Sequence, residues 1–301
     1  MMSTTIQGST TAAYAGDMSA ALRFGIVGTG SWSRHSHIPA AKAHDAVHFI
    51  GAIGRHDDVS AFLDTVDAVG FAVPPDTQAV LALRAIEAGK HVLLDKPVAL
   101  DVASAEIIAA AAAHERVATL VFLTRRFMPP IAAWIDDLIT TGGWSYGRIE
   151  ILAAALADMP NPGWREEQGG LWDVGPHALS LLLPVLGRVR WVSAVRDENL
   201  LVTTTLQHDA ATSVMATTLS APAHGSGDSA MFSGSGGRSE LPSLSGDDGV
   251  ARQAYARAID ALVAQVGDPG HPCDAEFGAE IVRILDAAER SIASGAAVQL
   301  R

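Results

Sequence analysis

A short apolar run, Leu22 to Val27, ends abruptly in Gly28-Thr29-Gly30-Ser31-Trp32-Ser33, and a helical pattern begins at once. A compact strand that turns on glycine into a helix is the opening of a βαβ unit. Gly28 permits the tight turn, and Gly30 lets the backbone approach a bound group closely. A pyrophosphate at that point meets the free N–H groups of a helix N-terminus. Thr29, Ser31 and Trp32 complete the loop. Ser33 takes the third position, where Gly or Ala gives the closest helix–strand fit. The junction therefore predicts a dinucleotide site, with Trp32 beside the phosphates.

The next hundred residues keep an α/β rhythm. Val47–Ile53, Ala68–Val73, His91–Leu94 and Ala118–Leu123 read as buried strands. Helices are expected at Ser33–His44, with a kink or break at Pro39, and at Ser60–Val66. A third is expected from Asp76, as cap, to Ala88, with Gly89 as terminator, and a fourth from Asp101 to about His114. Alternation of this kind builds a parallel sheet with crossover helices. Beyond residue 125 the rhythm changes. Arg148–Ala157, Val189–Arg196, Leu201–Leu206, Ser213–Leu219 and Ala230–Ser233 read as strands with few helices between them, followed by helices at Val250–Val266 and Glu276–Ser294. The expected organisation is a disordered tail over 1–21, a Rossmann dinucleotide-binding domain over 22–125, and an α+β domain over 126–301. That last domain carries a mostly antiparallel open sheet for substrate binding and oligomerisation.

Composition limits the partners. The apolar fraction of 49% allows a large core, and a net charge of −12 disfavours nucleic acid and anionic membranes. No apolar run reaches the roughly 20 residues of a membrane span. The lone Cys273 cannot form an intrachain disulfide and suits a reducing cytoplasm. His35 and His37 have no third ligand nearby, so no metal site is predicted.

Two patterns carry candidate chemistry. In Asp95-Lys96-Pro97, Lys96 falls just past the carboxyl end of a buried strand, where open α/β sheets bind ligands. A lysine there can hold a substrate hydroxyl as it loses its proton. Pro97 fixes the turn through a Lys96–Pro97 bond read as a candidate cis peptide. In Gly169-Gly170-Leu171-Trp172-Asp173-Val174-Gly175-Pro176-His177, the i, i+4 spacing on one helix aligns Asp173 with His177, provided Pro176 lies in a first turn. His177 suits proton exchange, and Asp173 suits orienting it or anchoring a hydroxyl. A helix cap and a core histidine would read the same way.

Together with Val73-Pro74-Pro75, Gly89-Lys90-His91-Val92, Arg126-Phe127 with Pro130, and Trp164-Arg165, these patterns resemble the glucose–fructose oxidoreductase / inositol dehydrogenase / MocA family from Leu22 to Leu300. The resemblance implies hydroxyl–ketone interconversion on a sugar, inositol or related polyol. It makes Lys96, Asp173 and His177 the catalytic group, with His177 as proton shuttle, and gives Trp164 and Arg165 a part in holding the cofactor. It also implies a homo-oligomer formed through the antiparallel sheet. Three residues depart from the family pattern: Asp95 replaces a usual Glu, Gln78 a frequent His, and Ser180 a frequent Asp. A deletion is the largest departure. Only the 12 residues from Arg55 to Val66 link the second and third strands, too few for the family's extra strand.

Cofactor choice is read at the end of the second strand. Gly54-Arg55 offers a cation for a 2′-phosphate and no acid for a free 2′-hydroxyl, so NADP is expected over NAD. The leading expectation is an NAD(P)-dependent dehydrogenase or reductase acting on CH–OH groups. The alternatives are a catalytically silent nucleotide-binding sensor, favoured by the deletion, and a family member that uses bound NAD to cleave glycosides.

Overall fold

The computed structural model describes residues 21–156, 163–243 and 249–300. The tail expected over 1–21 falls outside these, apart from Ala21. Strand β1 (Leu22–Val27) starts a five-stranded parallel sheet with β2 (Val47–Ile53), β3 (Ala68–Phe71), β4 (His91–Leu94) and β5 (Thr119–Val121), in the order β2-β1-β3-β4-β5. Strands β3, β4 and β5 are buried on both faces under crossover helices, which is why they read as unbroken apolar runs. Between β2 and β3 stands only the five-residue helix α2 (Val59–Leu63), capped by Asp58. Among the described residues no strand forms beyond β2, which is left as the sheet edge, as the short link requires.

Two helix starts differ from expectation. The helix after the glycine turn is π-wound from Ser33 to His37 and becomes α1 (Ile38–Lys42) at Pro39. Proline has no N–H to donate, so the widened turn lies where one hydrogen bond must be skipped. Helix α3 (Pro75–Glu87) begins on Pro75, whose fixed φ suits a first helical position, and Asp76 lies inside the first turn instead of capping it. Helix α4 (Val102–Glu115) is capped by Asp101 as expected, through a bond from the Ser104 N–H.

Helix α5 (Pro129–Thr141) leads into β6 (Trp144–Leu152), an interior strand of a second sheet. Helices α6 (Trp164–Asp173) and α7 (Gly175–Leu186) follow, then β7 (Val189–Arg196), β8 (Val202–His208), β9 (Thr212–Thr218), β10 (Gly227–Gly234) and β11 (Gly237–Glu240). Helices α8 (Val250–Val263) and α9 (Ala275–Ser294) precede β12 (Val298–Gln299). The seven strands run β11-β10-β6-β9-β8-β7-β12, and every neighbouring pair is antiparallel except β6–β9. Alternation is regular along β8: Val202, Thr204 and Leu206 are buried while Thr203, Thr205 and Gln207 face outward. Helix α7 covers the inner face, and α8 returns to pack on the parallel sheet. Among the described residues, no helix is long and apolar enough to cross a membrane.

Candidate active site

The glycine turn is built for close approach. Gly28 has φ +123°, and a Cβ there would collide with the Ala72 carbonyl at the end of β3. The Gly28 N–H bonds the Ile53 carbonyl at 2.8 Å, tying the turn to β2. A Cβ on Gly30 would meet nothing within 4 Å, so open space lies where a phosphate would enter. Ser33 is fully buried in the π turn, and Ser31 is engaged with His35, whose Nδ1 lies 2.8 Å from the Ser31 carbonyl oxygen.

Beyond the turn lies a cavity of about 550 Å³. Trp32, Val73, Pro74 and Pro75 line one side; Asp95, Lys96 and Pro97 the floor; Trp164 and Arg165 the opposite wall. The structure thus gathers residues expected from four separate motifs around one space. A larger cavity of about 1060 Å³ lies between α4, α9 and β12, and none of the expected site residues lines it. Its charged walls are ion-paired among themselves, Arg283 with Glu106 and Glu276.

Two glycines set the position of Asp173. Gly169 has φ +66°, which kinks α6. A Cβ on Gly170 would lie 2.5 Å from the Thr218 Cα, so only glycine lets α6 cross β9 this closely. The helix ends on Asp173, Val174 breaks it, and α7 restarts with Pro176 in its first turn. Asp173 and His177 therefore belong to two helices, not to one continuous face. No hydrogen bond joins them among the described residues.

Asp173 bonds the cavity floor instead. Lys96 Nζ donates to Asp173 Oδ1 at 2.7 Å and to its carbonyl at 2.5 Å, and Arg165 Nε donates to the same Oδ1 at 3.0 Å. Burial pushes the Asp173 carboxyl up, but the charges and hydrogen bonds of Lys96 and Arg165 outweigh it and hold it below its ordinary value. The Arg165 guanidinium lies over the Trp164 ring at 4.7 Å. The peptide from Lys96 to Pro97 is cis, as read from the sequence.

His177 is 7% exposed. Its Nδ1 is buried without a hydrogen-bond partner, whereas Nε2 is not sealed in this way. Burial first, then the positive charges of Arg125 and Lys96, place its pKa well below the usual histidine value. Ser180 turns away from the site, donating its hydroxyl to the His177 carbonyl at 2.7 Å.

At the end of β2, Arg55 is exposed and forms no ion pair among the described residues. Spacing places no acid at the strand end, but the turn brings one near it. Asp57 folds back, its Oδ2 accepting from the Gly54 N–H at 2.7 Å, near Thr29. The strand-end position shows glycine, so the reach of Asp57 through the turn could not be read from spacing. His37 is buried against Trp32, Phe122 and Tyr255 and is no ligand. Among the described residues, no group of three or more His, Cys, Asp or Glu gathers as a metal site.

The glycine turn, the open space at Gly30 and the long cavity fit a dinucleotide. Comparison with known proteins agrees. Residues 22–122 match the oxidoreductase family with an NAD-binding Rossmann fold. Among curated proteins, the galactose 1-dehydrogenase of Pseudomonas fluorescens is 27% identical over 178 residues, spanning 55% of this chain and 57% of that protein. The chain thus matches little more than half the length of that relative. Among solved structures, GenD2 from gentamicin A biosynthesis, in complex with NAD, superposes with a TM-score of 0.81 at 19% identity, covering 97% of this chain and 99% of that one. A myo-inositol dehydrogenase from Corynebacterium glutamicum gives 0.77 at 19%, covering 94% and 99%. At these identities the structural likeness establishes the fold.

Proposed function

We propose that the chain, whose residues 22–122 match the family model, is a member of the glucose–fructose oxidoreductase / inositol dehydrogenase / MocA family and interconverts a hydroxyl and a ketone on a sugar, an inositol or a related small polyol. One observation carries this reading: Asp173 and Arg165 fix Lys96 at the cavity that the other motifs line. When bound, the nicotinamide supplies the hydride acceptor. Lys96 donates to the substrate hydroxyl oxygen and stabilises the charge that grows there as its proton leaves. His177 takes that proton on Nε2. Asp173 and Arg165 keep the Lys96 ammonium aimed, and Trp164 and Arg165 close the cofactor wall against water.

Residues Gly28 to Ser33 would hold the pyrophosphate, and Gly54, Arg55 and Asp57 the adenosine ribose. Arg55 favours a 2′-phosphate, and Asp57, an exposed acid that opposes it, keeps the preference for NADP over NAD small. The outer face of the second sheet supports a homo-oligomer: Trp191, Val195, Thr203, Thr205 and Val214 form a strip without charge across β7, β8 and β9, with Val195 66% exposed, bordered by Arg148 and Glu150 of β6. Sedimentation should show an assembly that Val214→Glu dissociates; an unmutated monomer would remove this face as an interface.

The enzymatic reading is tested by a panel of sugars and inositols, D-galactose and myo-inositol included, with each cofactor, following reduced nicotinamide. Turnover on at least one polyol is expected. Cofactor binding with no turnover across the panel would turn the assignment to a nucleotide-binding sensor. Release of free sugar without net cofactor reduction would point to glycoside cleavage.

A further inference from the structure

Gln78 lies on α3 beside the same cavity, is 1% exposed, and makes no polar bond to the Lys96 side chain. Its amide is spent on the backbone around Lys96. Nε2 donates to the carbonyls of Asp95 at 2.8 Å, Pro97 at 3.2 Å and Val98 at 3.3 Å. Oε1 accepts from the Asp95 N–H at 2.8 Å. This pattern fixes the orientation of the amide, because three acceptors surround the nitrogen and one donor meets the oxygen.

The segment so held would otherwise be poorly restrained. It follows the last residue of β4, and the backbone groups of Asp95, Pro97 and Val98 have left the sheet ladder. Pro97 supplies no donor. Within the segment, the Asp95 carboxylate accepts the Lys96 N–H at 2.8 Å, a bond that shapes the turn without attaching it to the rest of the fold. Gln78 makes that attachment, to a helix seated on the parallel sheet. A neutral histidine, with one donor and one acceptor, cannot reproduce it.

We infer that Gln78 is the positioning residue for Lys96, a clamp that sets where the lysine ammonium stands relative to Asp173 and the cofactor floor. This rests on the proposed role of Lys96, but the clamp itself can be tested without any substrate. The chain has three lysines, Lys42, Lys90 and Lys96. Lys90 donates to the Val66 carbonyl at 3.0 Å elsewhere in the same domain and reports general loosening, and Lys42 serves as the reference. Trace acetylation of the intact protein, read by peptide mass spectrometry, gives the rate at each lysine.

In Gln78→Met, which keeps the length and loses every bond, Lys96 should acetylate roughly five-fold faster or more, the scale expected when a buried amide's partners are lost. The Lys90-to-Lys42 ratio should stay fixed. In Gln78→Glu, acid restores one donor beside the acceptor but not the amide's second, so the excess reactivity of Lys96 should fall in part as pH falls, a trend absent from Gln78→Met. If Lys96 reacts at the unmutated rate in both variants, or if Lys90 loosens in parallel with it, Gln78 is only part of the core and the inference fails. Failure of the polyol panel with Lys96 released selectively would leave the clamp standing and remove the proposed reaction.

Discussion

At the adenosine end of the groove, Arg55 and Asp57 stand exposed on a short turn, with β2 as a bare edge and no strand beyond it. At the nicotinamide end, Lys96, Asp173 and Arg165 form a shared, mostly buried ion cluster, and the backbone under Lys96 is held from below by Gln78. In the proposed groove, structure is sparse where the cofactor would merely be held and dense where atoms would have to be aligned. Alignment tolerates little looseness, because small displacements of a reacting group cost large factors in rate. Holding an adenosine can be spread over weak contacts. The comparison therefore predicts severe losses from changes at one end and mild ones at the other.

The largest effect should come from Asp173→Ala. It strands two cations in a site where the carboxylate is the common partner, and removing one member of a buried ion cluster costs roughly 3–5 kcal/mol. A thermal melt should fall by many degrees, and turnover should vanish. An unchanged melt would mean that water already neutralises the cluster. Gly170→Ala comes next. Its Cβ would press on the Thr218 backbone, which cannot rotate away, so overpacking of about 1–3 kcal/mol is expected from denaturant midpoints.

Acid behaviour separates the ends more gently. His177 has its pKa well below the usual value through burial, Arg125 and Lys96. Its neutral, proton-accepting form therefore persists as pH falls through 6.5, and the rate of hydroxyl oxidation should stay level there and drop only in stronger acid. A limb centred near 6.5 that survives in His177→Asn would assign the proton to another group. His37 adds a stability test. Burial, against a small opposing pull from the Trp32 backbone, lowers its pKa from 6.5 to about 3. The unfolded chain then binds the extra proton first, so stability is complete above 6.5 and is lost as pH falls from there toward 3. His37→Phe should flatten that decline in pH-dependent melts.

The smallest effects belong to the adenosine end. Arg55→Ala should weaken NADP alone and Asp57→Ser should strengthen NADP relative to NAD, each by about ten-fold or less, the scale of an exposed charge contact. Fluorescence of Trp32, half-exposed at the cavity wall, can report both titrations. A hundred-fold response from either variant would break the contrast between the ends.

The parts legible in the sequence are those set by near neighbours. The glycine turn, the buried strands, the Asp101 cap and the short link after β2 follow from local pattern and chain length. Helix α5 was missed, although Pro129 at its start and Gly142 past its end are ordinary signals. Strands β11 and β12 are too short, at 4 and 2 residues, to show a period. Most site residues were legible as motifs but their partners were not. Asp173 was read as facing His177, four residues away, whereas it pairs with Lys96, 77 residues away. Gln78 looked like a mere departure because its bonds go to backbone, which leaves no trace in residue type.

Lys96 is proposed to act on the substrate hydroxyl beyond any contact it makes with the cofactor. This claim is tested most directly by measuring, on Lys96→Ala, both the dissociation constant for NAD by tryptophan fluorescence and the rate of reduced nicotinamide formation on whichever polyol the unmutated protein oxidises. The account predicts affinity within a few-fold of the unmutated chain and a rate lower by roughly 100-fold or more. A variant that binds NAD as well and turns over as fast would contradict it.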